Sequence, residues 1–272
     1  MNLINATRSE MVKQFTTSVW WILLVVLVLY VGGSAGAVAA AFGAGTTGTV
    51  PGAALPTGLD DRLPALVYGM ATAIGYVFPL IVGTLLVTGE YRHKTLTPTF
   101  LATPRRGIAL VAKVLAGIIM GIVYGVAAVA STMGLGGAGL ALFGIETRLT
   151  ELDTWVAAGR MLLALVLWVL IGIGLGTLIR NQIGAVVGVL AFTQFLEPIA
   201  RLGAGMIEGA GEAVRFLPGA ASDALAGDSI FSAMGGGTAD PLEWWTGGLV
   251  LAGYALVLLV LGHVVSWRRD VV

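Results

Sequence analysis

Six long apolar runs, at about residues 19–42, 65–88, 108–133, 155–179, 183–202 and 244–266, constrain this chain more than any other feature. A helix needs about 20 apolar residues to cross a hydrocarbon core near 30 Å thick, and each run is of that length. Inside lipid the backbone must satisfy its own hydrogen bonds, so each run is expected to be a helix. The expectation is an all-α membrane protein: a single transmembrane domain of six helices in the cell membrane. Composition points the same way, since charged residues make up only 11% of the sequence, against about 25% in soluble proteins. Of the 40 glycines, 19 lie within the apolar runs, where small residues allow helices to approach closely.

Residues 1–18 are polar and amphipathic, with Arg8, Glu10 and Lys13 ahead of Trp20 and Trp21, which suits an interfacial helix and an aromatic belt. A cleaved leader is the competing reading, with Ala35 to Ala37 as the small-residue site. Glu10, the length of such a leader and the apolar run beyond Ala37 argue against it. Residues 43–64 are rich in Gly, Thr and Pro and form a loop. On the second run, Gly69, Thr72, Tyr76 and Gly83 recur at helical steps and mark one small, weakly polar face. That face serves helix packing or lines a path. The apolar stretch 107–143 would measure about 55 Å as one helix, longer than one crossing uses. The expected span ends near Met133, with residues 134–143 a break or outer turn. Gly117, Gly121 and Gly125 form a repeated GxxxG packing face on it. Residues 203–243 are acidic, glycine-rich and broken, and are expected to form short extracellular helices dipping into the outer leaflet. Glu197 and Arg201 are placed near that outer surface.

With both termini inside, ten of the 15 basic residues fall on the cytoplasmic side: Arg8, Lys13, Arg92, Lys94, Arg105, Arg106, Lys113, Arg180, Arg268 and Arg269. The bias follows the positive-inside rule. The charges are dispersed and sum to zero, which gives no reason to expect a nucleic-acid partner.

Several chemistries lack their residues. No GxxxxGK[ST] phosphate loop occurs, so nucleotide energy would have to come from a partner. Gly172, Gly174 and Gly176 lie inside an apolar run and are expected to pack helices. There is no cysteine, and the two histidines, His93 and His263, lie on the opposite side from most carboxylates. Neither a Ser-His-Asp site nor a two-histidine metal site is expected. No catalytic residue, metal or cofactor is assigned to the chain.

Residues 90–106 concentrate Arg92, His93, Lys94, Arg105 and Arg106 between two nearly uncharged runs. Thr97 can cap a short helix with Pro98 at its first position, and Thr103-Pro104 ends it. Phe100 and Leu101 offer apolar knobs. Within this segment Glu90-Tyr91-Arg92, then Thr95-Leu96, then Leu101-Ala102-Thr103-Pro104-Arg105 resemble the cytoplasmic signature of type-2 ABC exporter permeases. The Arg180-Asn181-Gln182-Ile183-Gly184 turn and Leu217-Pro218-Gly219-Ala220-Ala221 are also similar to family features. The sequence departs from the pattern at His93-Lys94, where glycine is common.

The resemblance implies a coupling helix between the second and third spans, driven by separate ATPase subunits. Glu90, Tyr91, Arg92, His93, Lys94, Thr95, Leu96, Phe100, Leu101, Pro104 and Arg105 would form the ATPase-coupling segment. It further implies two permease subunits, as a homodimer, with two ATPase copies that bind ATP and Mg2+ themselves, all within membrane lipids. A path along spans two and five would involve Thr72, Tyr76, Thr193 and Gln194. Two other readings stand beside it: an ion-coupled or passive carrier without an ATPase, and a membrane anchor that transports nothing. The few ionisable groups deep in the runs count against the carrier.

Overall fold

The computed structural model describes residues 2–46, 62–95, 98–99, 101, 106–179, 181–204, 210–227 and 242–267, and these are all-helical, without strands. Helix α1 is Leu3–Phe15. Helix α2 runs Val19–Leu27, passes a π-helical turn at Val28–Gly32 and continues as Gly33–Thr46. Helix α3 comprises Leu63–Ala73 and Val77–Arg92. Helix α4 runs Arg106–Ser131, through a π turn at Thr132–Gly136, to Gly137–Leu142. Helix α5 is Leu152–Leu178. Helix α6 comprises Gln182–Ala191, a π turn at Phe192–Leu196 and Glu197–Gly203. Two short helices, α7 (Ala210–Val214) and α8 (Pro218–Ala226), precede α9 (Trp244–Gly262), which ends in a π turn at His263–Trp267. Among the described residues, α2, α3, α4, α5, α6 and α9 are long and apolar enough to cross a membrane.

Burial sorts these helices. The apolar windows of α3 and α5 are 72% and 67% buried, whereas those of α6 and α9 are 22% and 17% buried. Helix α5 is central and packs on α3, α4 and α9. Its contact with α3 is close enough to exclude side chains: a Cβ on Gly172 would lie 2.2 Å from Leu80 O, and one on Gly83 would lie 2.1 Å from Val169 O. Along α4, Gly117 faces Ile173, Gly121 faces Val166, and Gly125 faces Leu162, all on α5. The outer helices expose apolar residues such as Leu29, Phe195, Ile199 and Leu256, the surface expected of helices facing lipid.

Two sequence expectations change. The chain does not break at Gly134: it stays helical to Leu142, because the π turn absorbs Thr132–Gly136 without interrupting the backbone bonds. The second change concerns α3, whose helical register is broken at Ile74, Gly75 and Tyr76. Pro79 has no N–H to donate back to Gly75 O, and a kink there follows. Gly69 and Thr72 therefore do not continue the face that carries Gly83. Helix α8, by contrast with α7, is mostly buried, with Ala221, Ser222, Asp223, Leu225 and Ala226 all inside the body.

Candidate functional site

Helix α3 ends in a capped turn. Thr95 N–H donates to Glu90 O at 3.0 Å and Lys94 N–H to Tyr91 O at 3.4 Å, the paired bonds of a Schellman motif. Lys94 occupies the left-handed position of that motif, at φ 54°, where glycine is favoured. This is where the sequence departs from the exporter pattern.

Glu90 itself is 6% exposed and belongs to a closed ring of four charges. Lys13 Nζ lies 2.7 Å from Glu10 Oε1 and 2.7 Å from Glu90 Oε1. Lys113 Nζ lies 2.6 Å from Glu10 Oε2 and 3.0 Å from Glu90 Oε2. Each carboxylate thus bridges both ammoniums, and the ring has no net charge. Lys113, at 0% exposure, also donates to Leu86 O at 3.3 Å. Thr99 closes the far side: its hydroxyl accepts from Lys13 Nζ at 3.3 Å and lies 3.2 Å from Glu90 Oε1, with Thr95 O, at 2.9 Å, the nearer acceptor for its one proton. The ring joins α1, α3 and α4 and ties the segment after α3 back to all of them.

A buried lysine and two buried carboxylates lose hydration, and only complete pairing offsets that loss. Burial acts to raise the Glu10 carboxyl, but Lys113 and Lys13 outweigh it and hold the group below its ordinary range. Burial acts to lower Lys13, but Glu10 and Glu90 prevail and raise it. The rest of α1 inverts the usual arrangement, burying Glu10 while exposing Ile4, Val12 and Phe15. That pattern suits a helix lying on a lipid surface.

Of the coupling residues named from sequence, Arg92, His93, Lys94 and Thr95 are exposed and Tyr91 is half-buried against the core. Leu101 is 78% exposed. Leu96, Thr97, Phe100, Ala102, Thr103, Pro104 and Arg105 lie outside the described residues, as does Arg180. From sequence, Glu10, Lys13 and Lys113 stood only as interfacial or cytoplasmic charges, and Thr99 was not named. Lys113 alone carried a signal, as the one charge within the apolar stretch 107–143, since such a residue needs a partner.

The expected path residues form a second polar group. The Tyr76 hydroxyl donates to Thr193 O at 3.1 Å and accepts from Gln194 Nε2 at 3.2 Å. Its ring stacks on Trp168, 4.5 Å between centroids, and Trp168 Nε1–H donates to Ser222 Oγ at 3.0 Å. The α3 kink brings Tyr76 to this position, and the π turn of α6 presents Thr193 to it. Thr72 is not part of the group, because its hydroxyl donates to Gly69 O within its own helix.

Glu197 is buried at 3% exposure, and its Oε1 accepts from Ala220 N–H at the start of α8 at 3.1 Å. Arg201 is pulled inward by Asp223, 2.7 Å away. Helix α8 supplies both partners. No model of a known protein family matches the sequence, and no curated protein is significantly similar to it.

Proposed function

We propose that the chain is the transmembrane permease subunit of an ATP-driven exporter, with both termini cytoplasmic and residues 90–105 as the coupling segment leading from the end of α3 to α4. Two such chains pair in the cell membrane with two copies of a separate ATPase, which binds ATP and Mg2+. Closure of the ATPases pushes the coupling segments, and rigid-body shifts open a path along α3 and α6. The observation that carries the reading is the charged ring at Glu90. An ordinary loop between two spans has no need of a buried carboxylate that bridges two lysines at its first residue. A segment that transmits force does, because movement at Thr99 reaches α1, α3 and α4 together. The resemblance of residues 90–105 to the exporter signature supplies the direction of transport and the kind of partner.

Leu101 provides the test. It is exposed, so Leu101→Asp costs the fold little. Purified in mild detergent from its native membrane, the tagged wild-type chain brings down an ATPase, and Leu101→Asp loses at least tenfold of that ATP hydrolysis, about 1.4 kcal/mol of docking energy. Equal hydrolysis from both would contradict the assignment.

A second reading, an ion-coupled carrier, gains support from Glu197, a buried carboxylate within α6 and close to the Tyr76 group. It predicts uptake by the purified chain alone in liposomes under a proton gradient, lost in Glu197→Gln.

A further inference from the structure

Beside the charged ring lies a half-open cavity of about 350 Å³, between the end of α1, the start of α2, the end of α3 and the first residue of α6. That volume is within the range of small-molecule sites. Its polar end holds Glu10, Glu90 and Gln182, and its apolar wall holds Trp20, Leu23 and Leu85.

Several donors at the polar end are already spent, although Gln14, His93 and Thr95 line the cavity too. The three protons of Lys13 are taken by Glu10, Glu90 and Thr99, and an ammonium has no more to give. The hydroxyls of Thr16 and Thr17, which also line the cavity, donate to Val12 O and Gln14 O of their own helix. Acceptors remain. Gln182 Oε1 is buried without a hydrogen-bond partner among the described residues, and so is Glu90 Oε2. The latter lies at ion-pair distance from Lys113, but not in hydrogen-bonding geometry. A buried acceptor left unpaired is costly, so this end favours a ligand that brings N–H donors and positive charge. The apolar wall begins beside Trp20 and Trp21, residues that favour the membrane boundary, and α2 continues from it with exposed Ile22, Val25 and Val26. A ligand here has a hydrocarbon part.

We propose that this cavity binds a primary-ammonium amphiphile, with the ammonium at Glu90 and Gln182 and the hydrocarbon against Trp20, Leu23 and Leu85. The chemistry is shared by an aminophospholipid headgroup and by a free long-chain amine. The site does not depend on the exporter reading, and its test does not involve an ATPase.

Native mass spectrometry of the purified full chain in a neutral maltoside detergent reads the binding directly. Phosphatidylethanolamine, phosphatidylcholine and phosphatidylglycerol are titrated separately, and dodecylamine is added as competitor. One phosphatidylethanolamine is expected to bind about tenfold more tightly than either other lipid, the scale of one hydrogen bond to a charged group. Displacement by dodecylamine would support a site satisfied by the ammonium and one chain. Retention of the lipid against dodecylamine would support the lipid headgroup as the natural source. Leu85→Trp, which fills the apolar end, and Gln182→Leu, which removes an acceptor, are each expected to lose the preference while melting near the wild-type temperature. Equal binding of the three lipids, tighter binding of phosphatidylglycerol, or an unchanged preference in Gln182→Leu would overturn the proposal.

Discussion

Lys113 is the residue on which the charged ring depends most, because it is wholly buried and pairs with both carboxylates. Lys113→Met should cost about 3–5 kcal/mol, the usual result of stranding buried charge, and lower the melting temperature by about 10 °C. Adding Glu10→Gln should restore part of that loss, since residues in one network do not act additively. The ring also sets the pH response. Glu10 has a lowered value in the fold, so its contribution is present above the unfolded carboxylate range and lost as pH falls through the lowered value. Lys13 has a raised value, so its contribution is present below the ordinary lysine range and lost as pH climbs through the raised value. Melting temperature against pH should therefore show a plateau with acid and alkaline limbs, and Glu10→Gln should flatten the acid one. Lys94 offers the opposite case. Lys94→Gly relieves a left-handed non-glycine residue and should stabilise by about 1 kcal/mol, measured by the same melting experiment. These residues were barely legible in the sequence, because the ring joins positions 77 and 103 apart and no periodicity links them. Tyr76, Thr193 and Gln194 were legible as polar residues in apolar runs, though their meeting required a kink that only Pro79 foreshadowed.

Helices were the most readable elements, since runs of about 20 apolar residues leave the backbone no other solution in lipid. Their ends were not so plain. A sequence rich in glycine near Gly134 looks like a break, yet a π turn carries α4 through it, and π turns leave no compositional mark. Glycine spacing did indicate where helices approach, and the α3–α5 contact sharpens this into a prediction. Gly172→Ala puts a Cβ 2.2 Å from Leu80 O and 2.9 Å from Thr84 N. Backbone cannot yield as a side chain does, so α3 and α5 must part, at about 1–3 kcal/mol or more. Gly188→Ala on α6 meets nothing within 4 Å and should be neutral or stabilising by up to about 1 kcal/mol. Detergent melting curves of the two variants distinguish a packing role for Gly172 from a general intolerance of alanine.

At the scale of the whole molecule, a tight body of α3, α4, α5 and α8 is flanked by thinly packed α2, α6 and α9. The ring lies at the end of that body where α1 crosses α4, and the Tyr76 group lies farther along α3 and α6. Force entering beside Glu90 would reach Tyr76 along the second stretch of α3, Val77–Arg92, at whose start Tyr76 lies. The account depends on residues 90–105 facing the side that contains ATP. The chain has no cysteine, so a single introduced thiol reports its own position. Arg92→Cys and Glu146→Cys, both at exposed residues, can be treated with a membrane-impermeant maleimide in intact, right-side-out vesicles. The account predicts labelling of Glu146→Cys at once and of Arg92→Cys only after permeabilisation; labelling of Arg92→Cys in intact vesicles would contradict it.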